Sequence, residues 1–336
     1  MKIAVIAAGA IGGLVGAKLA LAGNDVSFLV RGANLEAIRR DGITLIAADG
    51  ARQVVRNVTA TDDYRATGAQ DIVILAMKAH QVDAVAEQVP LLFGPDTVVV
   101  TMQNGIPYWY FHKHGGPLEG TTVRSVDPDG QAIRAIPVDR VIGCVVYPAS
   151  ELVAPGVVKH IEGDRFPLGE LDGSSSERVR RVSECFAAAG FKAPVLDNIR
   201  AEIWLKLWGN LSFNPISGLS HSTLLDICEY PPSRALAAAM MTEAQTVAHK
   251  LGIEFRVSLE KRIAGAEKVG KHKTSMLQDV EAGRAPEIDA LVGAVVELAR
   301  LTETPTPHIS TVYALVKLLA RTMHAQRGQV RMCEVA

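Results

Sequence analysis

The first half of the chain alternates between short apolar runs typical of strands and longer runs typical of helices. Lys2–Ile6 is a short run with β-branched residues, Ala10–Ala22 has a helical composition, and Asp25–Val30 is again short and apolar. Further runs of strand length lie at Asp71–Met77, Thr97–Met102, Val141–Tyr147 and Gly156–His160. Because strands that alternate with helices are typical of parallel sheets with right-handed crossovers, the pattern predicts an α/β domain.

The second half of the chain shows helical periodicity alone. A helix predicted at Ser176–Ala189 closes the α/β part, and strand patterns stop at about Asn198. Helix-like patterns lie at Ala201–Phe213, Pro232–Lys250, Val257–Val269, Glu287–Leu301 and Pro307–His324. We therefore expect an α/β domain over residues 1–197 and an all-α domain over residues 198–336. The stretch Tyr108–Arg140, rich in glycine, proline and aspartate, is expected to be a loop or insertion near the sheet edge.

The composition argues against several classes of partner and site. The 336 residues carry a formal net charge of −1, which gives no basis for binding a nucleic acid or an acidic membrane. The four cysteines are scattered, so they predict neither a disulfide framework nor a metal site, and a reducing cytoplasm is the expected compartment. The apolar start of the chain imitates a signal peptide, but its repeated glycines favour a strand followed by a helix.

A glycine-rich loop follows the first predicted strand. The fingerprint G-x-G-x-x-G is represented by Ala7-Ala8-Gly9-Ala10-Ile11-Gly12, directly between a strand and a helix, which is the context that the motif requires. Gly9 lets the backbone approach a pyrophosphate, Gly12 permits close packing of helix on strand, and the helix N-terminus attracts phosphates. Ala7 replaces the first glycine, at a cost only if the backbone needs a positive φ. The loop predicts a Rossmann-type dinucleotide site; the alternative is a glycine-rich helix start without a ligand.

The end of the second predicted strand indicates which dinucleotide binds. Sites for NAD usually carry an acidic residue near this point for the ribose hydroxyls. Here the strand ends at Arg31, and no acid lies between Val26 and Leu35. Because a planar guanidinium suits a 2′-phosphate, Arg31 favours NADP(H); the alternative is a solvated strand end.

Two more predicted strands run into polar residues at the edge where α/β sheets bind ligands. Lys78 follows Asp71–Met77, and Asn104 comes shortly after Thr97–Met102. Lys78 can neutralise a cofactor phosphate, and Asn104 can hydrogen-bond the nicotinamide ribose or the substrate. Either residue alone is more often an ordinary surface residue, so their shared position is what singles them out.

One helix of the second half carries an unusual polar stripe. Lys206, Asn210 and Asn214 are spaced four residues apart and share one face, while the positions around them are largely apolar. Buried polar groups need partners, and a polar ligand would supply them; the alternative is that the stripe faces water. Pro215 should bend or end the helix beside Asn214.

A lysine on this face offers a specific chemistry. A desolvated ammonium can donate a proton to a nascent alkoxide, which makes Lys206 a candidate general acid. Glu287, at the start of a later predicted helix, can hold the lysine in place. The Ser275 hydroxyl can bind a substrate carboxylate.

Taken together, these motifs resemble the ketopantoate reductase family over nearly the whole chain. The resemblance rests on Ala8–Gly12, Arg31, Lys78-Ala79, Asn104-Gly105, Asn198–Trp204, Lys206-Leu207, Asn214-Pro215, Ser275–Asp279 and Glu287–Asp289. It implies NADPH-dependent reduction of 2-dehydropantoate to pantoate, with Lys206 protonating the carbonyl oxygen as hydride is delivered. It also implies cofactor contacts from the loop residues Gly9, Ala10, Ile11 and Gly12, and a backbone contact from Ala149.

The resemblance implies roles for the other candidate residues as well. Asn104 would touch both cofactor and substrate. Asn210 and Asn214 would bind the substrate hydroxyl and carbonyl groups, and Ser275 its carboxylate. Glu287 would orient the lysine or contact the cofactor ribose.

The chain departs from the family pattern at positions that concern the substrate. Leu224 stands where a third substrate-binding asparagine is expected, and the 108–140 stretch is longer than the family core needs. Two alternatives therefore stay open: a family member that reduces a different 2-oxo or 3-oxo acid, and a non-catalytic NADP(H) sensor. Retention of Lys206, Glu287 and Ser275 together disfavours the sensor. The expected partner is a small-molecule 2-oxo acid, and a homodimer is compatible with the sequence.

Overall fold

Two sheets form in the first half of the chain. The computed structural model describes residues 1–333, and its strands are β1 (Lys2–Ile6), β2 (Asp25–Leu29), β3 (Ile43–Ile46), β4 (Arg52–Val55), β5 (Val58–Thr61), β6 (Gln70–Leu75), β7 (Phe93–Thr101), β8 (Val141–Cys144), β9 (Ala149–Ala154), β10 (Val157–Glu162) and β11 (Leu168–Gly169). The larger sheet has the order β11-β8-β7-β6-β1-β2-β5 and is parallel except for the edge strand β11. Since β6 and β2 flank β1 on opposite sides, the switch point of the sheet lies at β1.

Helices connect these strands and make up the rest of the chain. They are α1 (Ala10–Leu21), α2 (Ala33–Asp41), α3 (Tyr64–Thr67), α4 (Asp83–Ala86), α5 (Gln131–Ala135), α6 (Glu177–Ala188), α7 (Ile199–Ser220), α8 (Leu224–Glu229), α9 (Pro231–Lys250), α10 (Leu259–Val269), α11 (Ser275–Glu281), α12 (Ala294–Leu301) and α13 (Pro307–Gln326). A π-helical turn at Asp289–Gly293 directly precedes α12. No helix within residues 1–333 is long and apolar enough to cross a bilayer.

The central strands are buried on both faces, which explains their continuous apolar character. Ile3 and Val5 of β1 and Ile72 and Ile74 of β6 are all 0% exposed. Strands covered on both sides cannot alternate between apolar and polar residues, so the sequence marks them as unbroken runs. The prediction of a Rossmann-type α/β part followed by an all-α part is confirmed.

The smaller sheet, in the order β4-β3-β10-β9, was not predicted as a sheet. It packs on α1, where a Cβ added to Gly13 would lie 2.5 Å from Cγ2 of Val158. Every residue of β4 except Val55 is exposed, and β9 is exposed over most of its length. Strands of four to six residues with so little buried surface leave no apolar run in the sequence.

The stretch Tyr108–Arg140 is better packed than the prediction of a loop or insertion implies. It consists mostly of turns, but the aromatic residues at its start, Tyr108, Trp109, Tyr110 and Phe111, are at most 3% exposed. Trp109 Nε1 also donates a hydrogen bond to Thr101 Oγ1 at 3.0 Å, at the end of β7. The glycines and prolines of this stretch make turns around buried aromatic anchors.

The chain divides into two compact units. The first contains Met1–Gln103, Pro107–Thr122 and Asp127–Ile199, and the second contains Asn104–Ile106, Val123–Val126 and the chain from Arg200 onward. The second unit therefore includes two short segments that lie far upstream of its helices in the sequence. No single position in the sequence separates the two units, because these two segments belong to the second one.

Helix α7 is the buried centre of the second unit. Trp204, Leu207 and Trp208 are at most 1% exposed, and Trp208 Nε1 donates to the Met241 carbonyl of α9 at 2.7 Å. The helix runs on past Pro215 to Ser220, so of the two predicted effects of this proline, the end of the helix does not occur, and a bend stays a prediction. The tight packing of the helix on both sides of Pro215 outweighs the loss of one backbone hydrogen bond.

Close packing of α1 on the large sheet should make the fold sensitive to a methyl group at Gly16. A Cβ there would lie 2.4 Å from the buried Phe28 ring, so we expect Gly16→Ala to lower the free energy of unfolding by about 1–3 kcal/mol. Urea denaturation followed by circular dichroism measures the change. Gly265→Ala, where α10 has open space, is the control and should be neutral or slightly stabilising. Equal stability of the two variants would contradict this packing.

Candidate active site

The glycine loop begins with a residue in a strained conformation. Ala7 has φ of +74°, and its amide donates to the Leu29 carbonyl at 3.0 Å, which ties the end of β1 to the end of β2. A left-handed conformation costs a residue with a Cβ about 1–2 kcal/mol. The replacement of glycine by Ala7 is therefore a real departure, which the tertiary structure tolerates.

The two glycines of the loop have different physical roles. A Cβ on Gly12 would lie 2.0 Å from the Ala7 carbonyl oxygen and 2.9 Å from Cβ of Ala76, so this position requires glycine for packing. Gly9 is the N-cap of α1, and a Cβ there would meet nothing within 4 Å, so the residue faces open space. The first turn of α1, which includes Ala10 and Ile11, contains no acidic residue. A helix N-terminus that faces open space suits an anion such as a pyrophosphate.

Arg31 lies just beyond β2, where an exposed guanidinium can meet a ligand. Gly32 follows with φ of +60° and turns the chain into α2. The charge of Arg31 also acts on the buried Tyr64 of α3: burial raises the pKa of Tyr64 to about 12, and the nearby guanidinium partly opposes that rise. Tyr64 is thus a neighbour of Arg31 that the sequence did not indicate, because 33 residues separate the two.

Asn34 is a further residue that sequence reasoning missed. Its Nδ2 donates to the Ala8 carbonyl at 3.3 Å, and its Oδ1 accepts from the Gly156 amide at 2.9 Å. One amide side chain thereby fixes the glycine loop to the β9–β10 turn. Ala149, the first residue of β9, lies in a strand that packs against α1, and its backbone contact to a cofactor stays a prediction.

Lys78 lies at the expected edge of the large sheet. It follows β6 by three residues, and its amide donates to Gln81 Oε1 at 3.1 Å at the start of a short 3₁₀ turn. Gln103, just beyond β7, donates from Nε2 to the carbonyls of Leu75 at 2.8 Å and Met77 at 3.2 Å. Gln103 therefore fixes the backbone that leads to Lys78, a role that no local sequence pattern predicts.

The polar stripe of α7 faces a partner from an upstream segment. Lys206 Nζ donates to Asn104 Oδ1 at 2.7 Å, across 102 positions of sequence. Both residues are half-buried, and both belong to the second unit, because Asn104 is part of one of its two upstream segments. Lys206, which stands out on a helix face, and Asn104, which stands out at a strand end, therefore form one hydrogen-bonded pair.

The rest of the stripe continues from this pair along α7. Asn210 is half-buried, and Asn214 is only 6% exposed. Asn214 Nδ2 lies 3.5 Å from Oγ of Ser275, the exposed first residue of α11, at the limit of hydrogen-bond distance. The burial of Asn214 is inconsistent with a stripe that merely faces water.

The other two positions of interest also lie in the second unit. Glu287 is half-buried and precedes the π-helical turn by two residues. Leu224 is the first residue of α8, and its amide donates to the His272 carbonyl at 3.1 Å, close in sequence to Ser275. The candidate residues divide between the two units. The glycine loop, Arg31, Lys78 and Ala149 belong to the first, and the second contains Asn104, Lys206, Asn210, Asn214, Ser275 and Glu287.

Comparison with family models gives matches over both parts of the chain. The model described as ketopantoate reductase PanE/ApbA matches residues 3–173, and that of the ketopantoate reductase PanE/ApbA C terminal matches residues 198–320. A 2-dehydropantoate 2-reductase of Mesorhizobium japonicum is 54% identical over 95% of this chain and 98% of its own length. One of Pyrococcus horikoshii is 30% identical over 94% of this chain and 97% of its own.

Solved structures show the same architecture. A protein of Ralstonia solanacearum MolK2, provisionally named a ketopantoate reductase, superposes with a TM-score of 0.91 at 41% identity, covering 96% of this chain and 98% of its own. The 2-dehydropantoate 2-reductase of Methylococcus capsulatus gives a TM-score of 0.82 at 30% identity, covering 96% and 98%. The matches therefore extend over sequence and fold in both units.

Proposed function

Because the chain belongs to the ketopantoate reductase family, as its motifs predicted, we propose that it reduces 2-dehydropantoate to pantoate with NADPH. The observation that carries the proposal is the hydrogen bond from Lys206 Nζ to Asn104 Oδ1. It fixes an ammonium on the face of α7 that also carries the amides of Asn210 and Asn214, which are suited to bind a polar ligand. A fixed ammonium beside amide groups is the arrangement that protonation of a carbonyl oxygen requires.

The proposed reaction needs one proton and one hydride at a carbonyl group. The hydride for the carbonyl carbon would come from the bound dinucleotide. Lys206 gives the proton from Nζ to the carbonyl oxygen, which becomes the hydroxyl of the product, and water later returns a proton to the amine. Asn104 accepts from Nζ and keeps one N–H direction fixed, so that another N–H can face the substrate.

Substrate binding is proposed for the remainder of the stripe. Asn210 and Asn214 bind the hydroxyl and carbonyl groups of the acid, and the exposed Ser275 hydroxyl binds its carboxylate. Glu287 orients the lysine or contacts the cofactor ribose. Asn210 and Asn214 lie along α7 and Ser275 lies at the start of α11, which suits a short acid with polar groups at both ends.

The cofactor is proposed to be NADP(H), bound by the first unit. The open N-terminus of α1 at Gly9 suits the pyrophosphate, and the exposed Arg31 suits the 2′-phosphate by charge and shape. Lys78 neutralises phosphate charge at the same sheet edge, and the Ala149 backbone gives a further contact. A reducing cytoplasm is the proposed location, in keeping with the free thiols of Cys144, Cys185 and Cys228.

A steady-state screen tests the function directly. NADPH oxidation is followed at 340 nm with 2-dehydropantoate and with a panel of linear, branched and aromatic 2-oxo and 3-oxo acids. We expect the highest kcat/KM with 2-dehydropantoate. Because Leu224 is apolar where the family has an amide, a larger or less polar acid is the second candidate, and a clear preference for one would replace the first. Tight NADPH binding without any turnover would instead support a sensor.

Removal of the proposed proton donor should abolish most of the turnover. We expect Lys206→Ala to lower kcat by a factor of at least ~10², the usual effect of losing a general acid. Lys261→Ala, at an exposed position of α10, is the control and should retain wild-type kinetics. Near wild-type kcat in the Lys206 variant would eliminate this lysine as the proton donor.

Removal of the proposed 2′-phosphate ligand should affect one cofactor more than the other. We expect Arg31→Ala to raise the KM for NADPH about tenfold or more while changing that for NADH about twofold or less, since NADH lacks the phosphate. Arg52→Ala, at an exposed position of β4, is the matched control. An equal rise in the KM for NADPH and the KM for NADH would mean that Arg31 does not bind the 2′-phosphate.

A further inference from the structure

The segment Asn104–Ile106 is anchored to the π-helical turn Asp289–Gly293. The Ile106 amide donates to the Ala290 carbonyl at 3.0 Å, and the segment and the turn belong to the same unit. This anchor lies two residues from Asn104, the acceptor of the Lys206 hydrogen bond. The position of the turn therefore helps to set the position of the Asn104 side chain.

The anchor leaves no room for adjustment at Gly105. This residue has φ of +85°, and a Cβ there would lie 2.2 Å from the Ala290 carbonyl oxygen. Backbone therefore lies directly against backbone, with no flexible side chain between them. A shift of the π-helical turn would therefore also shift the segment Asn104–Ile106.

The turn itself is fixed by one carboxylate. Asp289 Oδ1 accepts from Tyr313 Oη at 2.6 Å, and Lys317 Nζ lies 3.0 Å from both carboxylate oxygens. The Asp289 carbonyl also accepts from the Ala294 amide, five residues on, which is the hydrogen bond that makes the turn π-helical. Asp289 thus joins the turn to α13 by its side chain and closes the turn by its backbone.

Of the two interactions with the Asp289 carboxylate, the hydrogen bond from Tyr313 is stronger than the ion pair with Lys317. Its hydroxyl is part-buried, and that burial together with the bond to Asp289 raises the pKa of Tyr313 well above its ordinary value, so it remains a donor at neutral pH. Lys317 is 47% exposed, and an exposed ion pair contributes at most about 1 kcal/mol. Gly293 lets the turn approach the tyrosine, since a Cβ there would lie 2.8 Å from Tyr313 Oη.

We propose that Asp289 and Tyr313 are positioning residues for the reduction: they hold the π-helical turn, and through Ala290 they hold Asn104 against Lys206. The inference rests on the proposed function of Lys206. π-helical turns are rare and are frequently found at functional sites, where they redirect backbone groups. Here the turn presents the Ala290 carbonyl to a segment outside its own helix.

Kinetics of three variants test the proposal. Tyr313→Phe and Asp289→Ala should each lower kcat about fivefold to tenfold, the scale expected when a reacting group is misplaced slightly, with the KM for NADPH changed less than about twofold. Asp289→Asn should restore most of kcat, because its amide oxygen still accepts from Tyr313. Tyr230→Phe and Arg321→Ala, both at exposed positions, are the controls and should match the wild type.

A double variant separates positioning from a general loss of stability. If Tyr313 acts through Asn104, Tyr313→Phe should lower kcat hardly at all in an Asn104→Ala background. The same fold-loss in both backgrounds would overturn the proposal, as would wild-type kcat in folded Tyr313→Phe and Asp289→Ala.

Hydrogen exchange provides a test that does not require turnover. Tyr313→Phe should accelerate exchange of the Ile106 amide about tenfold or more, while Arg321→Ala leaves it unchanged. Unchanged protection of Ile106 in Tyr313→Phe would refute the anchoring even if the enzyme is active. Faster exchange in a protein that reduces no 2-oxo acid would support the anchoring and refute only the proposed function.

Discussion

The hydrogen bond between Lys206 and Asn104 is the interaction on which the rest of the second unit's site depends. A half-buried ammonium flanked by apolar residues must keep a fixed acceptor or remain hydrated, because a desolvated charge without a partner is very costly. The acceptor comes from a segment 102 residues upstream, and that segment is in turn fixed by the turn at Asp289–Gly293. Lys206, the proposed proton donor, is therefore held by a chain of contacts rather than by its own helix alone.

A different constraint governs the first unit. Parallel strands place their carboxyl ends at one edge, and the loop after β1 must turn sharply into α1. Gly12 allows the helix to approach the sheet, while Ala7 accepts a strained φ that a glycine would adopt freely. The strain is local, so the imperfect fingerprint still builds an open helix N-terminus at Gly9.

Much of this could be predicted from the sequence, and the gaps have physical causes. Buried central strands and long helices leave strong patterns, and chemically unusual residues such as Lys206 stand out on an apolar face. Of the small sheet, the region of β10 was predicted, but β4 and β9 left no apolar run because they bury little. Pro215 does not end α7, because helix packing overrides a local breaker. Contacts such as Lys206 with Asn104, or Asp289 with Tyr313, depend on the tertiary fold and have no local signature.

We propose that Lys206 and Asn104 act as one unit in the reduction. A double-mutant cycle on kcat/KM for 2-dehydropantoate, with Lys206→Ala, Asn104→Ala and the double variant, measures their coupling directly. We expect strong non-additivity, with Asn104→Ala causing little further loss of kcat/KM once Lys206 is removed. Fully additive losses would instead show that the two residues contribute independently.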